Sequence, residues 1–152
     1  MEAKMVTIYI NGVEISVPSD YTVLKAAMKA GIKIPTLCYL KDINQIGACR
    51  VCMVEIEGSQ WLHAACIHPV FDGLKVLTHT PKVLAARRAV VELLLSNHSK
   101  ECLTCFRSTN CELQTLTKEM NISELPFEGE RKNFEIDLSS PAIVRDQSKC
   151  VQ

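Results

Sequence analysis

Hydrophobic and polar positions alternate with period two over Val6-Thr7-Ile8-Tyr9-Ile10 and again over Val13-Glu14-Ile15-Ser16-Val17, with Asn11-Gly12 between them. Such alternation gives each strand one apolar face, and Asn-Gly readily takes the positive φ values of a tight turn, so the segment predicts a β-hairpin. Past Pro18 the period changes. Val23, Leu24, Ala27 and Met28 recur at helical spacing, Ser19-Asp20 offer capping oxygens ahead of them, and Gly31 closes a short helix packed on the hairpin. From Thr36 to Cys52 no period holds: Pro35 forbids helix continuation, Gly47 interrupts, and a long irregular loop is expected. Loops of this length inside small domains are usually functional. Alternation returns at Met53-Val54-Glu55-Ile56-Glu57, which ends in Gly58; residues 61–65 are expected to pair with it, and Leu74-Lys75-Val76-Leu77 supplies another strand.

Pro81 suits a first helical turn, and Val83, Leu84, Arg87, Val90, Val91, Leu94 and Leu95 lay a largely apolar stripe along a helix ending near Ser96-Asn97. Residues 98–111 are compact and polar, residues 112–120 predict a short helix, and Pro126, Gly129 and Pro141 mark a connecting segment. The expected fold is α+β, with a small strand-and-helix domain over residues 1–80, a helical module over 81–125 and a connector over 126–152.

With 152 residues, 47% of them hydrophobic, the chain can build one ordinary core or two small ones. Lys plus Arg and Asp plus Glu number 17 each, so no net field favours nucleic acid or an anionic membrane. The most apolar stretch, residues 83–95, is broken by Arg87, Arg88 and Glu92 and is no membrane span. Met1-Glu2-Ala3-Lys4-Met5 lacks the apolar core of a secretion signal, and the cytoplasm is the expected compartment. Eight cysteines in a reducing compartment then point to metal binding or redox chemistry, since disulfides are disfavoured there.

Seven of these cysteines fall into two sets. Cys38, Cys49, Cys52 and Cys66 are spaced C-x10-C-x2-C-x13-C, with one tight chelating pair and two that stand apart. Structural zinc sites usually use two tight pairs, whereas one cluster-wrapping loop plus a distant cysteine is the plant-type [2Fe–2S] ferredoxin arrangement; zinc remains the alternative. Gly47 and Ala48 are small enough to let backbone N–H groups approach a cluster's sulfurs. His98, Cys102, Cys105 and Cys111 are spaced H-x3-C-x2-C-x5-C, four soft or borderline ligands at a helix end, which suits an iron–sulfur cluster or a zinc ion.

His63, His68 and His79 have no such company and are read as ordinary histidines, and Cys150 as a free thiol. No nucleophile elbow, P-loop or dinucleotide fingerprint is present, and Trp61, Tyr9, Tyr21 and Tyr39 form no base-stacking series. No catalytic residue is assigned.

Residues 5–66, with the Ile10-Asn11-Gly12 hairpin, Ile34-Pro35-Thr36-Leu37-Cys38 and Gly47-Ala48-Cys49-Arg50-Val51-Cys52-Met53-Val54-Glu55, resemble the β-grasp [2Fe–2S] ferredoxin domain. That domain opens multidomain [FeFe]-hydrogenases, formate dehydrogenases of the same build and the large iron–sulfur subunit of respiratory complex I. Asn97-His98 through Cys111 resembles the [4Fe–4S] module, ligated by one histidine and three cysteines, that follows it in all three. The resemblance implies Cys38, Cys49, Cys52 and Cys66 on one [2Fe–2S] cluster and His98, Cys102, Cys105 and Cys111 on one [4Fe–4S] cluster. It implies electron relay as the function, in an oxidoreductase whose other domains or subunits bind flavin and NAD(P) and perform catalysis. Residues 141–151, with Lys149-Cys150, resemble the opening of a bacterial-type ferredoxin domain cut off after its first cysteine. The expected context is the N-terminal relay segment of an [FeFe]-hydrogenase large subunit, NAD(P)-linked and electron-bifurcating; the formate dehydrogenase and complex I-like contexts, and a zinc-stabilised interaction module, are the alternatives.

Overall fold

In the computed structural model, which describes residues 4–99, 101–128 and 134–149, β1 (Met5–Ile10) and β2 (Val13–Pro18) pair antiparallel from Ile10↔Val13 to Met5↔Pro18. The turn between them holds Asn11 at φ 53° and Gly12 at φ 84°, the left-handed pair that the Asn-Gly sequence supplies without steric cost. The remaining strands are β3 (Met53–Ile56), β4 (Leu62–Ala64) and β5 (Lys75–Leu77), and the sheet order is β2-β1-β5-β3-β4. β5 enters the centre parallel to β1 and antiparallel to β3. The mixed sheet with its few helices is the α+β fold that the patterning predicts.

Helix α1 (Val23–Lys29) buries Val23, Leu24, Ala26 and Ala27 in the same apolar cluster as Val6, Ile8 and Ile10 of β1, Val17 of β2, Val54 of β3 and Val76 of β5. Its cap is Thr22 rather than Ser19 or Asp20: Thr22 is extended, and its side chain accepts the Lys25 N–H at 3.3 Å. A cap must directly precede the first helical residue, and Ser19 instead donates its N–H to the Lys4 carbonyl at 2.8 Å. Met28 lies outside the core, 51% exposed, because in so short a helix the alanines at 26 and 27 face the sheet.

The hairpin turn also holds the end of β5. Asn11 Nδ2 donates to Thr78 Oγ1 at 2.8 Å, and its Oδ1 accepts the Thr78 N–H at 2.9 Å, across 67 positions of sequence.

Contacts divide the chain into two compact units, Met1–Arg87 and Arg88–Gln152, and helix α2 (Pro81–Asn97) contributes residues to each. In the first unit Val83 and Arg87 of α2 are buried, whereas Leu84, placed on the apolar stripe by periodicity, is half exposed. In the second unit Val91 is buried and Arg88 pairs with Glu92 at 2.8 Å. Helix α3 (Glu112–Glu119) buries Leu113 and Leu116. Farther along, Asp137 and Arg145 exchange backbone hydrogen bonds at 2.9 and 3.0 Å. Among the described residues no helix is long and apolar enough to cross a membrane.

Candidate metal centres

The loop after Pro35 curls in stages. Leu40 and Asn44 exchange backbone hydrogen bonds at 3.0 and 2.9 Å around Asp42, whose φ is 62°, and Gly47 and Arg50 follow at φ 64° and 58°. An arginine in the left-handed region is uncommon and costs energy that the rest of the loop must offset. The N–H groups that follow Gly47 turn inward: the Cys49 N–H donates to Cys38 Sγ at 3.4 Å, and the backbone of Ala48 also hydrogen-bonds that sulfur. The donors that the small residues Gly47 and Ala48 were expected to make available are thus in place, aimed at a cysteine sulfur.

Cys52 and Cys66 are positioned by the sheet rather than by the loop. Cys52 directly precedes β3 and Cys66 lies just past β4; the strands pair through Met53↔Ala64, Val54↔His63 and Glu55↔Leu62, and the Ala65 N–H donates to the Cys52 carbonyl at 3.1 Å. Cys38, Cys52 and Cys66 are buried, and Cys49 is partly so.

The four thiols act on one another. Burial, a hydrogen bond with Cys52 and the charges of Cys52, Cys38 and Cys49 push the Cys66 thiol up to about 12. Burial also raises Cys49, against the backbone N–H groups of Val51 and Cys38. At Cys38 burial opposes the thiolate too, but the N–H groups of Cys49 and Ala48 outweigh it and lower the pKa. Four converging thiols in a low-dielectric setting cannot all ionise unless positive charge enters between them, and an iron–sulfur core supplies that charge.

In the second unit His98, Cys102, Cys105 and Cys111 line one cavity of about 370 Å³, closed on other sides by Leu95, Leu113 and Ile122. His98 follows the last residue of α2, with its N–H donated to the Leu95 carbonyl at 3.3 Å. Cys102 begins a single 3-10 turn, Cys102–Thr104, and the Cys105 N–H returns to the Cys102 carbonyl at 3.3 Å. Cys111 is the N-cap of α3, and its side chain makes no capping hydrogen bond. Among the described residues His98 Nδ1 is buried without a hydrogen-bond partner. A buried ring nitrogen left unpaired is costly, and a metal is a partner it can take. A histidine and three thiols around one cavity fit an iron–sulfur cluster.

The other histidines are occupied elsewhere. His63 Nε2 lies 2.8 Å from Ser59 Oγ, with its ring edge-on to His68 at 4.8 Å between centroids, and His79 Nδ1 lies 2.6 Å from Thr78 Oγ1. Cys150 lies outside the described residues. Periodicity does not disclose the buried cation beside the first set: Arg87 donates from Nε and Nη2 to the carbonyl of Met53, the residue after Cys52, at 2.9 and 2.6 Å. The signal available for it is a lone arginine within an apolar stripe.

Comparison with known proteins places matches on both sets. A family model described as "2Fe-2S iron-sulfur cluster binding domain" matches residues 3–81, and one described as "NADH-ubiquinone oxidoreductase-G iron-sulfur binding region" matches residues 87–126. The chain is 46% identical, over 97% of its length, to the NADP-reducing hydrogenase subunit HndD of Solidesulfovibrio fructosivorans, and spans 26% of that protein. It is 38% identical, again over 97% of its length, to the NADPH-Fe(3+) oxidoreductase subunit alpha of Geobacter sulfurreducens, of which it spans 17%. A crystal structure of an NAD+-reducing [NiFe]-hydrogenase in the H2-reduced state superposes with a TM-score of 0.88 at 30% identity, covering 96% of this chain and 62% of that one.

Proposed function

Because the chain belongs to the family of 2Fe-2S iron-sulfur cluster binding domains, we propose that it is the electron-relay segment of an NAD(P)-linked hydrogenase subunit. The chain carries one [2Fe–2S] and one [4Fe–4S] cluster and serves electron transfer. When bound, such clusters take up and release one electron at a time. In the proposed assignment Cys38, Cys49, Cys52 and Cys66 hold the first cluster and His98, Cys102, Cys105 and Cys111 the second. The observation that carries the assignment is that residues 3–81 contain the whole first set and residues 87–126 the whole second set.

The protein's own part is to hold and tune. The N–H groups of Ala48 and Cys49 stabilise negative charge on Cys38 sulfur and so favour the reduced state. The sheet register fixes Cys52 relative to Cys66 without help from the loop. The catalytic site is assigned to another domain or subunit, an [FeFe] centre in the reading favoured here, and the electron source or sink to a flavin- and NAD(P)-binding partner in the cytoplasm. Apolar side chains left exposed near each set, Leu40, Ile43 and Ile46 in the first unit and Leu103 and Phe106 in the second, support contacts with such partners. The second-unit match also supports a complex I-like context as the second reading.

The test is anaerobic reconstitution of the chain followed by iron and sulfide analysis and electron paramagnetic resonance. Two clusters give about six irons and six sulfides per chain and two reducible signals. The loaded chain should pass electrons between artificial donors and acceptors yet evolve no hydrogen. A chain that saturates with zinc alone, or one that evolves hydrogen free of other subunits, would refute the proposal.

A further inference from the structure

Arg87 is 2% exposed and the largest of the fully buried side chains among the described residues. Its guanidinium spends two N–H groups on one carbonyl, that of Met53, and among the described residues no carboxylate forms an ion pair with it. Burial lowers its pKa to about 10, opposed only by the charge of Cys52. At neutral pH it is therefore a cation, held on the carbonyl next in sequence to Cys52, a proposed cluster ligand.

A carbonyl dipole is poor compensation for a desolvated ion, and a leucine or methionine would fill the same place on the apolar stripe at lower cost. Negative charge would make the arginine worth keeping. Four thiolates around a two-iron, two-sulfide core of about +2 sum to about −2, and to about −3 after one-electron reduction. We propose that Arg87 is the fixed countercharge of the [2Fe–2S] centre, a positioning and tuning residue that favours the reduced cluster and raises its reduction potential. The proposal rests on the assignment of Cys52 as a cluster ligand. Because the charge is permanent and buried, it acts without proton uptake and is little screened by salt.

The experiment compares the reconstituted full chain with Arg87→Met, Arg87→Gln and Arg87→Lys by potentiometric titration read by electron paramagnetic resonance. With clusters intact, the two neutral variants should reduce the [2Fe–2S] centre with an equilibrium constant at least tenfold lower, about 59 mV for one electron. The shift should persist in 1 M salt, where exposed charges are screened to about 3 Å. Arg87→Lys should stay near the wild-type potential, and the [4Fe–4S] signal should not move in any variant. If the neutral chains fold but fail to assemble the [2Fe–2S] centre while Arg87→Lys assembles it, the requirement for charge is equally supported. An intact centre at the wild-type potential in Arg87→Met or Arg87→Gln overturns the proposal, as does loss of the centre in Arg87→Lys alongside the neutral variants. Cys52→Ala tests the ligand assignment separately: a surviving [2Fe–2S] signal there would refute that assignment, whatever the potentials of the Arg87 variants.

Discussion

Replacing Gly47 by alanine tests whether the curl of the first loop is what brings its donors to Cys38. Gly47 has φ +64°, and an added Cβ would lie 2.9 Å from Ile67 Cδ1 and 3.1 Å from Cγ2. Holding an alanine in the left-handed region costs about 1–2 kcal/mol. Ile67 is 42% exposed and can move, at the price of an off-rotamer side chain, about 0.5–1.5 kcal/mol. Together these cost about 1.5–3.5 kcal/mol, a roughly 10- to 300-fold loss of the ligand-ready loop at about 1.4 kcal/mol per tenfold. Gly58→Ala is the control: φ there is +84° but nothing lies within 4 Å of the new Cβ, so only the backbone cost remains. The assay is competition for iron between the reconstituted chain and a chelator, alongside urea unfolding of the metal-free chain. Gly47→Ala should lose [2Fe–2S] iron at far lower chelator concentration than wild type, whereas Gly58→Ala should lose about 1–2 kcal/mol in urea and keep its cluster. Adding Ile67→Ala to Gly47→Ala should recover the steric part alone, up to about tenfold. Iron retention equal to wild type in Gly47→Ala, or no recovery in the double variant, would refute the reasoning.

Three further outcomes are expected. With His98 as a ligand, three thiolates, one neutral imidazole and a core of about +2 sum to about −1, against about −2 for four thiolates, so His98→Cys should keep the [4Fe–4S] cluster at a lower potential in a potentiometric titration and His98→Ala should lose iron. For the metal-free chain, Cys66 titrates at about 12 when folded against an ordinary 9.0, so the folded state keeps a proton that the unfolded chain releases; stability should fall as pH rises through that window, and thermal melts should show the fall disappear once the cluster is bound, because its thiolates are already ionised. Asn11→Ala removes two hydrogen bonds to Thr78 and places alanine at φ 53°, which should cost about 2–4 kcal/mol in urea unfolding while leaving cluster content unchanged in chains that fold.

The local elements were legible because their causes are local. Asn11-Gly12 dictates the hairpin by the φ values the two residues tolerate, and the alternation on either side selects the inward face of Val6, Ile8 and Ile10. The strand after Cys52 and its partner announce themselves in the same way. What no local pattern contains is the insertion of β5 between β1 and β3, since the pair Ile10↔Val76 joins residues far apart in sequence. The candidate ligands were legible for a different reason: thiols cluster only where chemistry needs them, and a histidine four positions ahead of such a cluster inherits its meaning. The supporting atoms were less so. The loop that aims backbone groups at Cys38 also contains the left-handed Arg50, and nothing about an arginine advertises that conformation. Arg87 sits on the stripe where periodicity puts it, but periodicity counts positions and is blind to charge.

The pairing of β3 with β4 has a bearing on how chains of this kind are found. Cys52 and Cys66 are held at one end of a two-stranded ladder whose far end is the turn between Ile56 and Leu62, so lengthening that turn would leave both sulfurs where they are. An extra residue inside either strand, by contrast, would slip the register and swing its side chains to the opposite face of the sheet. The thirteen-residue gap is therefore an accident of turn length, and a search pattern that insists on it will pass over proteins with the same centre and a longer turn. Pairs of added residues in both strands, extending the ladder symmetrically, would be equally invisible to such a pattern. The dependable marks are the short Cys49–Cys52 bite with its preceding small residues and a cysteine two positions past the partner strand of β3.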